Sequence, residues 1–412
     1  MSNRSALSAA KYAFREHGMS ERVKNMIVSP IKEMMLLASK MDSPLLLAQG
    51  IPAEDAPEHV KRAIIEAVEG PVAAKYSVLS GMQGAREAVV KRYQVKYGVT
   101  FDPDAHIGIT AGCMEACMIS VMACVNPGDE VIMISPCFAS HLEEILAAQG
   151  KPVFVNTDEK NGWLLDMKAV KKAITKRTKA ILITNPCNPT GAVFPENQIR
   201  ELCQIALDHD LFIIADETYD FLTYDGTPFF SFAQVPEILP NLFLLGSASK
   251  EYCMTGYRLG WVITAPDILN QLLKLHDATV ICACVASQFG FIAAVEGPQD
   301  SVKQLVKSME ERRNLICERL DRLPHLFHYD AKPMGSYYIL PEVKFPHENS
   351  IQAAFTLQKE TSVITVPGIG FGPMGENHLR FSFGGGTTRG PKGKELITAA
   401  FDRLEEWGKA FA

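Results

Sequence analysis

The sequence has no excess of positive charge. Its 41 Lys and Arg stand against 47 Asp and Glu, a net charge of −6, and no basic tract gathers to neutralise a run of phosphates, which argues against nucleic acid as the main partner. Long apolar runs are missing as well. Met1 to Pro30 alternate charged with apolar positions and never reach the length of a signal peptide or membrane helix, so the expected compartment is the cytoplasm. There is no Cys-x-x-Cys pair. Ten cysteines lie singly, with only Cys113/Cys117 and Cys282/Cys284 close together, which signals neither zinc nor a redox motif and makes reduced thiols the expectation. Internal repeats and low-complexity segments are absent too, which sets aside solenoids and linker-rich chains.

What is present is a 412-residue chain, 47% hydrophobic and 21% charged, long enough for two or three globular domains. From about Asp102 to Gly260 short apolar runs alternate with turns and helix-length amphipathic segments, the pattern of an α/β unit. The runs are Glu130 to Ser135, Ala180 to Thr184, Leu211 to Ala215, Leu242 to Leu245 and Leu259 to Thr264. Their near-continuous apolarity predicts strands covered on both faces, hence a largely parallel sheet in a three-layer α/β/α domain. Pro195 to Asp208 reads as a crossover helix with Pro195 in its first turn. After Pro298 one long helix runs to Pro324, followed by short strands at Ser336 to Leu340 and Leu379 to Phe383 and a last helix through Leu396 and Trp407. A smaller α+β domain is expected there. The proposed division is an N-terminal arm with part of the small domain at 1–50, a large domain at 51–297 and a small domain at 298–412.

In open parallel sheets ligands bind beyond the carboxyl ends of the strands. Here those ends are polar and specific: Pro136-Cys137-Phe138 with His141 beyond, Asn185-Pro186-Cys187-Asn188-Pro189-Thr190-Gly191, Asp216-Glu217-Thr218-Tyr219, and Gly246-Ser247-Ala248-Ser249-Lys250. Together they offer an aromatic face, an amide, a carboxylate, a phenol, hydroxyls and a lysine. These are the parts needed to hold a planar, phosphorylated, nitrogen-containing aldehyde, pyridoxal 5'-phosphate.

With Asn185-Pro186-x-Asn188-Pro189-Thr190-Gly191, Ser247-x-Ser249-Lys250 and Gly256-x-Arg258-x-Gly260 in this order, the chain resembles a class I/II aminotransferase of the fold-type I pyridoxal-phosphate superfamily, the aspartate aminotransferase family. The resemblance runs from about Leu45 to Phe383. It implies that Lys250 is the Schiff-base lysine and proton shuttle and that Asp216 pairs with the pyridine nitrogen. An apolar strand ending in Asp-Glu also resembles a magnesium-holding strand, but no Gly-x-x-x-x-Gly-Lys loop accompanies it. By the same resemblance Asn188 and Tyr219 bond the cofactor's phenolic oxygen, and Phe138 stacks on its ring. His141 stands behind Asp216. Phe138 and His141 also fit plain core positions. The phosphate falls to Gly112, Cys113 and Met114 in the turn that opens a helix read as Glu115 to Cys124, to Ser247 and to Arg258, and Ser249 is a further cofactor-binding residue. Tyr76 matches a tyrosine that reaches the phosphate from a neighbouring subunit, which implies a homodimer; an ordinary interface or core aromatic is the other reading. The substrate carboxylate meets Arg380, Asn188 and the backbone at Gly50, and closure of the small domain on the large one would exclude water.

One departure bears on substrate. Met114 stands where acidic-substrate members of the nearest subgroup often have lysine, and a thioether cannot pair a second carboxylate. Neutral, aromatic or sulfur-containing donors are therefore favoured over dicarboxylic ones. The cysteines within the motifs, Cys113, Cys137, Cys187 and Cys253, are read as packing residues without a catalytic thiol. The predicted function is transfer of an amino group from an L-α-amino acid to a 2-oxo acid by a ping-pong route, in amino-acid metabolism, with no metal and no membrane partner. The alternatives are a pyridoxal-phosphate-dependent β-eliminating carbon–sulfur lyase or cyclopropane-forming relative on the same fold, and a non-catalytic cofactor-binding regulator. The regulator is disfavoured because only about 45 residues precede the first motif, too few for a DNA-binding domain. A nicotinamide dehydrogenase is set aside because no strand is followed by Gly-x-Gly-x-x-Gly.

Overall fold

Residues 18–26, 34–36, 38–386 and 390–411 are described in this computed structural model. Much of the expected N-terminal arm, 1–17, 27–33 and 37, lies outside them. Seven strands build the central sheet: β2 (Ile107–Thr110), β3 (Glu130–Ser135), β4 (Lys151–Asn156), β5 (Thr178–Thr184), β6 (Phe212–Asp216), β7 (Leu242–Ser247) and β8 (Gly260–Ile263), in the order β2-β8-β7-β6-β5-β3-β4. All run parallel except β8, which is antiparallel to both its neighbours.

Alternation along the apolar runs explains the three layers, because successive side chains leave opposite faces of a sheet. Val131, Met133, Leu182, Ile214 and Phe243 pack under helices Cys113–Cys124 and Pro266–Thr279. Their sequence neighbours Ile132, Ile134, Ile181, Ile213 and Leu244 join the opposite core with helices Gln83–Tyr97 and Glu196–Asp208. Both faces are thus dry. A separate core gathers Leu45 to Ala48, Leu305, Ile316, Leu320, Val363, Phe381, Leu396 and Phe401. Its scaffold is the 22-residue helix Asp300–Asp321, helices Ser350–Thr361 and Gly393–Gly408, and short strands. Of these, β10 (Tyr338–Ile339), β14 (Leu379–Ser382) and β13 (Val366–Pro367) form an antiparallel sheet, while β1 (Leu45–Leu46) pairs with β12 (Val363–Ile364). Residues 45–48 therefore pack with the C-terminal part.

Several local expectations shift. Strands β2 and β4 are absent from the sequence reading: β2 has four residues only, and β4 is an edge strand whose pattern is mostly half-exposed. Pro195 is the N-cap of its helix and not in the first turn. The spacing Gly-x-Gly-x-x-Gly does occur, at Gly370 to Gly375, behind the two-residue β13. It enters the 3-10 turn Pro373–Gly375 and no βαβ crossover, so no dinucleotide-binding unit is made. No described helix is long and apolar enough to cross a membrane.

Candidate active site

The parallel strands β3, β5, β6 and β7 end side by side, and their following residues wall a cavity of about 300 Å³. It takes in Gly50, Cys113, Met114, Phe138, His141, Asn188, Asp216, Tyr219, Ser247, Ser249, Lys250, Arg258 and Arg380. Residues from both cores thus meet there. Gly112 is not in the wall but caps helix Cys113–Cys124, which starts two residues before the Glu115 expected from sequence; the first-turn N–H groups therefore lie beside the cavity. Tyr76 is not in the wall of this chain's cavity either, and is 77% exposed.

Lys250 sits in the short helix Ala248–Glu251 that directly follows β7, and its Nζ donates to the Gly50 carbonyl at 2.5 Å. Burial, aided by Arg258 and Arg380, lowers this amine to about 8. Asp216 ends β6 and is buried. One oxygen accepts from the Thr218 N–H at 3.0 Å and the Cys113 thiol at 3.5 Å, and the other lies 3.3 Å from His141 Nε2. Burial alone would raise its pKa, yet the hydrogen bond and charge of His141 outweigh it and the carboxyl is held below its usual value. Phe138 meets the His141 ring edge-on, with centroids 5.3 Å apart.

Arg380, on β14, is almost fully buried. It donates to Asn188 Oδ1 at 3.1 Å and to the Ala48 carbonyl at 2.5 Å, and its guanidinium stacks over Tyr338 at 4.5 Å and Phe371 at 4.8 Å. No carboxylate answers it among the described residues. Tyr219 OH and Tyr338 OH are 2.8 Å apart, and burial, reinforced by Tyr338, pushes the Tyr219 phenol up.

The residues fit pyridoxal phosphate. Thr184, Thr218 and Arg380 add two hydroxyls and a guanidinium to the wall beside the Asp216 carboxylate. Next to the helix start, Gly112 is held at φ +86°, and a Cβ there would come within 2.4 Å of Arg258 Nη2. Only glycine lets a cation and the helix N–H groups converge so closely on one anion.

Sequence reasoning missed Ser140, Thr184, Thr218, Thr255 and Tyr338 in the wall. Tyr338 gave no distinct signal, because it is one of two adjacent tyrosines, Tyr337 and Tyr338, in the strand read at Ser336 to Leu340. Glu144 was missed as well: it lies one turn beyond His141 and bonds His141 Nδ1 at 2.9 Å, a spacing legible once the helix is drawn.

The sequence profile of the family described as aminotransferase class I and II matches residues 42–390. Aromatic-amino-acid aminotransferase 2 of Thermococcus litoralis is 30% identical over 392 residues, covering 94% of this chain and 97% of that protein. The aspartate aminotransferase of Pyrococcus abyssi is also 30% identical with the same coverage. Among solved structures, the alanine aminotransferase of Pyrococcus furiosus superposes with a TM-score of 0.86 at 30% identity, covering 95% of this chain and all of that one.

Proposed function

The chain belongs to the class I and II aminotransferases, a transaminase family that uses pyridoxal phosphate, and on that premise we propose that it transfers the amino group of neutral, aromatic or sulfur-containing L-α-amino acids to a 2-oxo acid. The observation that carries the reading is one cavity holding the half-buried Lys250 amine, the Asp216 carboxylate and the Arg380 guanidinium, which no described carboxylate answers. When bound, pyridoxal phosphate supplies an aldehyde that condenses with amines and a ring that takes up the electrons released at the substrate Cα.

The protein's own groups divide the remaining work. Arg380 binds the substrate α-carboxylate by its planar fork, and Gly50 lies beside it. Because Asn188 Oδ1 already accepts from Arg380, its Nδ2 is left to donate, toward the cofactor's phenolic oxygen together with Tyr219. Asp216, kept ionised by His141, holds a proton on the ring nitrogen. Phe138 would cover the ring face, and Gly112, Cys113, Met114, Ser247 and Arg258 would hold the phosphate, with Ser249 a further cofactor contact. Lys250 Nζ, neutral in a large fraction near pH 8, receives the substrate Cα proton and delivers it again.

Substrate class follows from a count of cations. The lysine and arginines in the cavity wall are Lys250, Arg258 and Arg380, each with a task, so none in this chain's wall is left for a second carboxylate, and Met114 offers a soft apolar contact instead. The relatives bear aromatic, aspartate and alanine names, so family membership alone does not choose. Two domains, 51–297 and 298–412 with part of 1–50, would close on the substrate. The active unit is proposed to be a homodimer with Tyr76 entering the partner's site. Supporting this, Ile65, Val68, Val72, Tyr76 and Val78 are all exposed in the single chain. Ten free cysteines suit the reducing cytoplasm.

The test is a half-reaction panel. Each amino acid is added to the cofactor-loaded protein while its visible band is followed, and a 2-oxo acid is then supplied. Phenylalanine, tyrosine or methionine should bleach the band at least about tenfold faster than aspartate, with recovery on adding oxo acid. Aspartate as best donor would overturn the substrate class, and pyruvate or ammonia released with the band persisting would mean elimination.

A further inference from the structure

Asp216 is one end of a buried chain of three ionisable side chains. His141 Nε2 lies 3.3 Å from Asp216 Oδ2 and His141 Nδ1 lies 2.9 Å from Glu144 Oε2, with all three side chains almost wholly out of water. A neutral imidazole carries one N–H and can satisfy one carboxylate, so its other nitrogen would turn a lone pair toward the second. Only the doubly protonated ring donates to both. We propose that Glu144 is a positioning residue, which locks His141 as an imidazolium and through it keeps Asp216 ionised and oriented toward the cofactor ring nitrogen. This rests on the role given to Asp216 above.

The surroundings leave Glu144 as the second anion. Burial would strip the His141 proton, yet the hydrogen bonds and charges of Asp216 and Glu144 outweigh it and hold the ring at about 9. Among the described residues, the other titratable side chains bonded to His141 or Asp216 are thiols of helix Cys113–Cys124: Cys117 Sγ stands 3.4 Å from Nδ1, and Cys113 donates to Asp216. Burial, and after it the carboxylates, push both thiols up, so they add no charge. The short helix Glu21–Asn25 packs on Ala139–Ala147, but its Glu21 and Lys24 pair with each other at the surface. Two carboxylates and one imidazolium sum to a single negative charge, which a protonated ring nitrogen beside Asp216 would balance. A carboxylate with one buried oxygen already lacking a partner, Glu144 Oε1, is a poor choice for packing alone.

The experiment reads the proton directly. With histidine labelled by ¹⁵N, both His141 ring nitrogens should carry hydrogen at pH 8 in the apoprotein and in the cofactor-loaded protein. Glu144→Gln, of the same shape, should make the ring about a hundredfold more acidic, leaving one nitrogen bare in most molecules at pH 8, and should weaken pyridoxal-phosphate affinity by about tenfold. Glu144→Asp, which keeps the charge, should restore the imidazolium. A neutral His141 in the wild type would overturn the proposal, as would a ring still doubly protonated in Glu144→Gln. So would a stoichiometric metal ion, because Cys117, His141 and Glu144 present donor atoms within 4.8 Å of one another and an ion would displace the proton. Asp216→Ala separates the two levels: if it binds the cofactor as the wild type does, the role of Asp216 falls and the proposal with it. If it loses the cofactor while Glu144→Gln keeps wild-type protonation and affinity, only the proposal about Glu144 falls.

Discussion

At the scale of single residues the chemistry is set by burial acting against neighbouring charge. Lys250 loses hydration and faces Arg258 and Arg380, and the shift to about 8 follows. An amine must be neutral to attack an aldehyde, so the rate at which the apoprotein captures pyridoxal phosphate should rise about tenfold per pH unit below about 8 and level off above it. Stopped-flow absorbance between pH 6.5 and 9.5 checks this, and a flat profile would contradict it. Arg380 is the complementary case, a buried cation answered among the described residues by neutral partners. Arg380→Leu should raise the KM for every amino donor about 10- to 100-fold, the worth of a charge-assisted pair, while the cofactor affinity stays within a few-fold. These polar residues were legible because each interrupts or ends an apolar run. Tyr338 and Glu144 were not, since a phenol within a strand and a carboxylate within a helix each have an ordinary reading until a partner is seen.

Elements meet at this site more closely than their sequences disclose. A Cβ on Gly260, the first residue of β8, would lie 2.6 Å from the Cys113 backbone nitrogen and 2.8 Å from the Gly246 carbonyl oxygen, and backbone cannot rotate away as a side chain can. Gly260→Ala should therefore part β8 from the start of helix Cys113–Cys124 and weaken cofactor binding by at least about tenfold, measured by equilibrium dialysis. Further along, Arg92 of helix Gln83–Tyr97 bonds Asp220 at 2.5 Å and Glu251 at 2.8 Å, all three buried, with Lys96 and Tyr97 on the same acids. It ties that helix to the turns following Asp216 and Lys250. Arg92→Leu leaves two buried acids short of their main partner and should cost roughly 3–5 kcal/mol in urea unfolding; a change below about 1 kcal/mol would mean the acids find other cations or protonate. The strand cores were readable from their unbroken apolarity. The half-exposed edge strand β4 and the four-residue β2 were not, because their hydrogen bonds come from neighbours and not from any local pattern.

For the whole molecule the open question is the second copy. Tyr76, 77% exposed with apolar neighbours, finds no hydrogen-bond partner or ring contact among the described residues. If it completes the partner's site, Tyr76→Ala should lose activity about 10- to 100-fold, and mixing its subunits with inactive Lys250→Ala subunits should recover roughly a quarter of wild-type activity through hybrid dimers with one intact site. Strict additivity of the two variants after mixing would rule the shared site out. The sequence by itself determined the layer architecture, because apolar runs covered on both faces admit few other packings, and it marked Lys250, Asp216, Asn188 and Arg380 as candidates, because their motifs are local in the chain. Tertiary structure alone decided what no local pattern holds: that β1 enters the small domain by pairing with β12, that Arg380 bonds Asn188 directly across 192 positions, and that Glu144 stands behind His141 and Asp216. Such contacts depend on where separate elements come to rest, and that is fixed by packing of the whole chain.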